Sequence, residues 1–319
     1  MKLGILIPKE HRLLSVAAIL DVFETVNRFY IEEGQEPYFD ISLLYFGEEP
    51  KPYSDYKTEK AGKDHFNLIL IPAFKNDCIS EALPMNRQWI PWLQKQYENG
   101  ASLASFCTGA FLLAMTGLLD GKPATTHINA EKEFANAFPE VNIQADAVIT
   151  EHSKIYTSGG ATNSFHLMMR LIETFCNRKM AVKTAKIFSI DLDRKQQSYF
   201  GSFSPSEDHG DDLVKLTQLE IKRNFKEAST IEEIITDVPA SRRNLVRRFK
   251  LVTGITPIEY LQKIRIEAAK QLLEQSRQSV MEVMLESGYN DLKSFRALFK
   301  KNVGMTPTAY REKFNNMVA

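Results

Sequence analysis

Residues 229–313 carry one pattern written twice, fifty positions apart. Ser229 falls on Ser279, Glu232 on Glu282, Phe249 on Phe299, Lys250 on Lys300 and Gly254 on Gly304. Thr256-Pro257 falls on Thr306-Pro307, Tyr260 on Tyr310 and Lys263 on Lys313. Nine pairs at one ungapped offset are the mark of a structural repeat, in which one supersecondary unit is made twice.

Each copy reads as helix, tight turn, helix. In the first, Ile231, Ile234 and Ile235 lie at helical spacing behind Ser229-Thr230, which can cap the helix start. Val238-Pro239-Ala240 turns the chain. SRRNLVRRFKLVTG then opens at Ser241, faces its core with Leu245, Phe249 and Val252, and stops at Gly254. In the second copy Met281, Met284 and Leu285 take the matching places, Gly288-Tyr289-Asn290 turns the chain, and DLKSFRALFKKNVG carries Phe295, Leu298 and Phe299 inward. The units are expected at about 229–254 and 279–304. Pro257 suits the first turn of a connecting helix over 257–275, about 28 Å long at the usual rise. Successive major grooves on one face of DNA lie about 34 Å apart, so such a connector suits two reading helices in neighbouring grooves.

The exposed positions near the start of each second helix are the expected base readers: Arg243, Val246 and Arg247, then Lys293, Arg296 and Ala297. Arg242, Arg248, Lys250, Lys300 and Lys301 are expected on phosphate, which sets register without carrying sequence information. Charge runs are usually only solvated faces; their place inside a repeated helix-turn-helix points instead to double-stranded DNA. Residues 211–314, with their two G-x-[ST]-P-x-x-Y echoes, closely resemble the AraC/XylS family of bacterial transcription regulators. Asp237-Val238-Pro239-Ala240 lacks the glycine that many members have in the first turn.

The 319 residues exceed one ordinary domain and suggest two. Lys+Arg and Asp+Glu balance at 40 each, but residues 210–319 hold 19 against 14, a surplus of +5 offset by −5 in residues 1–209. A basic C-terminal part and an acidic N-terminal part fit a DNA-binding module joined to something that does not touch DNA. No apolar run reaches membrane-span length, and residues 1–8 are too short for a signal peptide. Cys78, Cys107 and Cys176 form no disulfide framework or metal spacing, and the other histidines (His11, His65, His152, His166, His209) form no ligand set. The expectation is a cytoplasmic protein, off the membrane, with no metal and no cofactor.

Upstream, apolar runs at 2–8, 39–46, 67–72 and 101–106 read as strands, the third as central, and 16–30 and 85–97 read as helices. That alternation predicts an α/β domain with a mainly parallel sheet covered on both faces. Its fourth strand runs into Ser105-Phe106-Cys107-Thr108-Gly109-Ala110, the Cys-x-Gly form of a nucleophile elbow. There the side chain is expected to be exposed and the next helix's N-terminus to lower the thiol pKa. His127 is placed to approach it. Residues 201–210, GSFSPSEDHG, read as a polar linker, and 211–225 as a helix with Leu213, Leu216, Leu219 and Ile221 inward.

CTGAFLLA, GLLDGKPATTH, Thr157-Ser158-Gly159-Gly160-Ala161 and Arg194-Lys195-Gln196-Gln197-Ser198-Tyr199-Phe200 resemble the amidotransferase-like ThiJ/PfpI superfamily, in its GlxA-like branch fused to AraC-type domains. The resemblance covers about residues 2–200. It implies a flavodoxin-like sandwich for residues 1–200 that dimerises or senses an effector, ahead of an all-α DNA-binding domain over 211–319. Enzymatic members carry a carboxylate on the first helix beside the cysteine; the matching place here is Ser15, which argues against catalysis. Cys107, His127 and Ser15 are therefore expected to line an effector pocket. The competing readings are a cysteine-dependent hydrolase or carbonyl-adduct-processing enzyme, and a Cys107 redox sensor. A homodimer, a small-molecule effector and RNA polymerase are the candidate partners beside DNA.

Overall fold

In the computed structural model the described residues are 1–50, 53, 55–75, 79–192, 197, 200–201, 203, 205, 209–227, 230–236 and 238–315. The chain divides into two compact units, Met1–Gln197 and Ser198–Ala319.

The first unit is built on a seven-stranded sheet. Its strands are β1 (Lys2–Leu6), β2 (Asp40–Tyr45), β3 (Thr58–Lys60), β4 (Leu68–Ile71), β5 (Ser102–Phe106), β8 (Ile149–His152) and β9 (Ile155–Ser158), in the order β3-β2-β1-β4-β5-β9-β8. All pairings are parallel except β8 with β9. The run LILI of β4 is buried at every position because β1 and β5 flank it and both faces are covered. A short pair, β6 (Pro123–Ala124) and β7 (Asn142–Ile143), lies outside the main sheet.

Strand alternation sends Leu3, Ile5, Leu70, Ala104 and Phe106 to one face, under α1 (Leu13–Glu32), α6 (Asn163–Phe175) and α7 (Arg178–Ile187). It sends Leu6, Ile69, Ile71 and Leu103 to the other, under α2 (Ile79–Met85), α3 (Trp89–Glu98), α4 (Ala110–Ala114) and Phe134 of α5 (Glu131–Ala137). The chain order reverses between β1 and β4, so the carboxyl ends of β1, β4 and β5 flank a topological switch point, where open α/β sheets place their ligands.

The second unit is all helical: α8 (Asp212–Asn224), α9 (Ile231–Ile234), α10 (Arg242–Thr253), α11 (Pro257–Gln275), α12 (Val280–Glu286), α13 (Leu292–Val303) and α14 (Pro307–Phe314). Caps explain the boundaries. Thr256 and Ser279 each close a capping box, with Glu259 and Glu282. Asp291 accepts from Ser294 N–H, and Gly254 and Gly304 end α10 and α13 in the left-handed region. Two separate cores result. Val214, Ile221, Ile231, Ile234, Phe249, Tyr260 and Leu261 form one. Ile266, Leu273, Val283, Met284, Phe295, Phe299 and Tyr310 lie in the other, and α11 contributes to both.

Three expectations are corrected. The repeat is not in one register: Thr230 caps α9 through Glu233, and Ser279 caps α12 through Glu282, an offset of 49 before the turn and fifty after it. The first turn is thus one residue shorter. Val280, Val283 and Met284 match Ile231, Ile234 and Ile235, while Met281 and Leu285 are exposed at 60% and 51%. Ser229 and Asp237 lie outside the described residues. In α8 the inward face is Val214, Thr217, Gln218 and Ile221; Leu216 and Leu219 face solvent. Residues 201–210 are not purely polar spacer: the Phe203 ring packs edge-on against Tyr260 at 5.3 Å, and Lys270 Nζ donates to Gly201 O. The rest of that stretch, at Ser202, Ser204 and 206–208, lies outside the described residues, as do Cys78 and, in the Arg194–Phe200 motif, 194–196 and 198–199.

Candidate nucleic-acid interface and N-terminal site

Helix α10 buries Leu245 and Phe249, which leaves Arg242, Arg243, Arg247 and Lys250 exposed and Val246 half-buried on the opposite side. Helix α13 repeats the arrangement: Phe295, Phe299 and Val303 are buried, and Lys293, Arg296, Ala297, Lys300 and Lys301 are exposed. The 3.6-residue period alone produces this split. Apolar side chains at i and i+4 fix one face, so the cations on the opposite face point away.

Among the described residues, two of these basic side chains are already in ion pairs. Arg248 donates from Nε at 3.0 Å and from Nη2 at 2.9 Å to Asp211 Oδ2, half-buried against the start of α8. Burial opposes the Asp211 carboxylate, but the Val214 N–H and the Arg248 guanidinium outweigh it and hold its pKa below the ordinary value. Arg248 therefore ties α10 to α8. Arg242 lies 2.5 Å from Glu232, an exposed pair that water and salt screen.

In the first unit, the residues at the carboxyl ends of the strands converge. Cys107 follows β5 directly, in a 3-10 turn over Cys107–Gly109. Its φ of +54° is unusual for a residue with a Cβ, and Glu10 after β1 and Ala161 after β9 share that region at +60° and +49°. Such strain persists where the surroundings enforce it. Here they do. A Cβ on Gly109 would sit 2.6 Å from the Ile71 and Pro72 carbonyls, so only glycine lets the elbow press on the end of β4. Thr108 Oγ1 accepts from Phe74 N–H at 2.8 Å and donates to Phe74 O at 3.0 Å. Thr126 Oγ1 donates to Cys107 O at 3.0 Å.

The elbow does not expose its thiol. Cys107 is 2% exposed, and burial pushes its pKa up. The Ala161 and Thr108 N–H groups and the Arg12 charge pull it down by less. The sequence expectation of an exposed, acidified thiol is corrected on both counts, because burial of the sulfur outweighs the neighbouring Ala161 and Thr108 N–H groups.

His127 lies across the 160–161 turn: a Cβ on Gly160 would fall 2.1 Å from its Cδ2. Its Nδ1 accepts from Asn129 N–H at 3.2 Å, and burial, then Arg12, lowers its pKa. Ser15, in the first turn of α1, accepts from Ala73 N–H at 3.0 Å, while Ala73 O accepts from Arg12 N–H at 2.7 Å. The hydroxyl that stands in the carboxylate's place is thus bound to the loop after β4. Cys107 and His127 are brought together at one turn, and Ser15 is joined to the same wall through the Ala73–Phe74 segment.

Sequence reasoning did not single out two residues of this site. Arg12 supplies the positive charge felt by both Cys107 and His127. Gln197, 1% exposed, fills the space that a side chain at Gly159 would take, its Oε1 lying 2.1 Å from that Cβ position. Its Oε1 accepts from Gly160 N–H at 3.2 Å and from Asn163 Nδ2 at 2.8 Å. Its Nε2 donates to Ala145 O at 2.7 Å and Thr126 O at 3.0 Å, with Thr125 Oγ1 at 3.2 Å. The signal was the paired glycines at 159–160, which imply a close neighbour without naming it. Among the described residues no group of three His, Cys, Asp or Glu could hold a metal ion, and no helix is long and apolar enough to cross a membrane.

Comparison with known proteins matches residues 235–313 to a helix-turn-helix domain and residues 49–174 to the DJ-1/PfpI family. The chain is 29% identical to the HTH-type transcriptional regulator CdhR of Pseudomonas aeruginosa over 70% of this chain and 66% of that protein, just short of two thirds of its length. It is 25% identical to the HTH-type transcriptional regulator GbdR of the same species, over 97% of this chain and 84% of the relative. The crystal structure of an AraC family transcriptional regulator from Pseudomonas putida is similar over 59% of this chain and 98% of that chain, at 16% identity and a TM-score of 0.49.

Proposed function

We propose that this chain, which joins a DJ-1/PfpI domain to an AraC-type helix-turn-helix domain, is a sequence-specific DNA-binding transcription regulator. One observation carries the reading. Two helix-turn-helix units, each with its own core, each present a helix whose outer face is cationic. Helices α10 and α13 enter two neighbouring major grooves. Arg243, Val246 and Arg247, and Lys293, Arg296 and Ala297, read base edges, while Lys250, Lys300 and Lys301 hold phosphates. Arg242 joins the phosphate set once DNA outcompetes Glu232. Arg248 stays on Asp211 and serves the domain's shape.

The N-terminal unit is a sensing and dimerisation module of a cytoplasmic homodimer, and its effector binds where Cys107, His127, Ser15 and Arg12 meet. Catalysis is not part of the proposal. A buried thiol with a raised pKa is a weak nucleophile at neutral pH, and Ser15, bound to a backbone N–H, offers no carboxylate for proton transfer. The same burial weighs against a peroxide sensor, which needs an accessible thiolate. An effector that favours one arrangement of the two units shifts promoter occupancy by its differential affinity for that arrangement, and RNA polymerase is the partner that reads the outcome.

Selection of duplexes from a random pool by the full-length protein tests the proposal. An enriched motif with two separated boxes, bound at least about 1,000-fold more tightly than random DNA, is expected. Enrichment of no motif, with binding that depends only on salt, would refute it.

A further inference from the structure

The two helix-turn-helix units have separate cores, so something must fix one against the other. Helix α11 does part of this: Tyr260 and Leu261 belong to the first core, and Ile266, Ala269 and Leu273 to the second. Arg265 sits at the boundary between those sets and is only 8% exposed. Its Nε donates to Phe225 O, at the end of α8, at 2.8 Å. Its guanidinium carbon lies 5.5 Å from the centre of the Tyr289 ring, in the turn of the second unit. That turn touches the first half directly. A Cβ on Gly288 would fall 2.4 Å from Phe225 O, 2.8 Å from Arg265 Nε and 3.2 Å from Lys226 Cα, and Gly288 has a φ of +86°. Tyr289 in turn packs on Phe295 of α13, ring centres 5.3 Å apart. A continuous line of contacts therefore runs from the end of α8 through Arg265 and Tyr289 to the second reading helix.

We infer that Arg265 is a positioning residue that sets the distance and phase at which α10 and α13 meet DNA, by clamping the turn of the second unit to the end of α8. This rests on the reading of α10 and α13 as groove-reading helices. The arginine is suited to the task. Its Nε N–H is held by a carbonyl while its guanidinium carbon stays within cation–π distance of an aromatic ring, a pair of contacts that lysine cannot reproduce in one geometry. The clamp makes no contact with a base of its own; it decides which spacing of two boxes the protein accepts.

The test uses the full-length protein and the operator selected by the wild type, in four versions: intact, with one base pair inserted between the boxes, and with each box scrambled in turn. Scrambling either box is expected to cost the wild type on the order of 100-fold, as two or more mismatched pairs would, and the insertion a similar factor. Arg265→Ala is expected to bind each box with unchanged base preference but to lose no more than about tenfold on insertion, because the two halves can now move apart. An Arg265→Ala protein that keeps the wild-type insertion penalty overturns the inference. Indifference of the wild type to scrambling one box overturns the two-helix reading, and the clamp with it. Should Arg265→Ala fail to fold, Gly288→Ala, which pushes the turn off Phe225, serves instead. A changed preferred spacing supports the clamp, and an unchanged spacing and penalty overturn it.

Discussion

Replacing Gln197 with alanine removes one side chain and strands several polar groups. Gly160 N–H, Thr126 O and Ala145 O all lose the Gln197 amide in a region where Gln197 itself is 1% exposed. Each buried orphan costs about 1–3 kcal/mol, and water entering the space left by the amide recovers part of that, so a loss of about 2–4 kcal/mol is expected. The assay is specific to one unit. Both tryptophans, Trp89 and Trp92, lie in the first unit, so a urea melt followed by tryptophan fluorescence reports on that unit without interference from the helical one. Gly159→Ala should do similar damage, because its new methyl claims the place of Gln197 Oε1. The double variant should then be little worse than Gln197→Ala alone, since the two changes remove one interaction. Loss of the Gln197 bonds also loosens the 160–161 turn beside Cys107, so alkylation of the Cys107 peptide, followed by mass spectrometry, should accelerate. A melt within about 0.5 kcal/mol of wild type would mean that these bonds are worth no more than those of an ordinary surface site, and would refute the reasoning.

Lys300→Ala should reduce the slope of log K against log salt by about 0.9, one phosphate's worth, whereas Arg248→Ala should leave the slope alone and lower stability instead; equal slopes for both variants would contradict the assignment. Gly160→Ala places a methyl against the His127 ring, so His127 should titrate closer to an ordinary imidazole by NMR; an unchanged pKa would show that the ring does not lie over that turn. Burial, outweighing the Tyr30 hydroxyl, raises the Cys176 thiol to about 11 from 9.0, so the folded state keeps a proton that the unfolded chain releases first. That contribution to stability is complete below pH 9 and disappears between about pH 9 and 11, and Cys176→Ala should flatten this alkaline loss in a pH series of urea melts.

The helical half was largely legible because its signals are local. Ser279 with Glu282, Thr256-Pro257 and Gly304 mark boundaries by capping chemistry, and Phe249 and Phe299 mark the inward face by period alone. The register error there has one cause. Pattern matching without a gap aligned Glu232 with Glu282, but the cap that acts in the first unit is Thr230–Glu233, so the inward face slipped by one residue. In α8 the leucines suggest the inward face, yet Thr217 and Gln218 are buried beside Val214 and Ile221, held by neighbours that no periodicity reveals. Strands β1, β2, β4 and β5 were legible from their apolar runs, including the central place of β4, whereas the short β3, β8 and β9 carry no comparable run. The site was less so. Cys107 and Gly109 announced an elbow, but whether its thiol is open depends on Gly160 and Ala161, over fifty residues further along, and on Arg12 from the start of α1. Gln197 could not be placed from the sequence, since its partners come from three separate loops.

The most direct test of two readers on one face of DNA is a hydroxyl-radical footprint of the full-length protein on its selected operator, repeated with Arg247→Ala and with Arg296→Ala. Two protected segments about ten base pairs apart are predicted for the wild type, each variant weakening one of them and costing about 1–3 kcal/mol in affinity. A single protected segment, or two that weaken together whichever arginine is removed, would contradict the account.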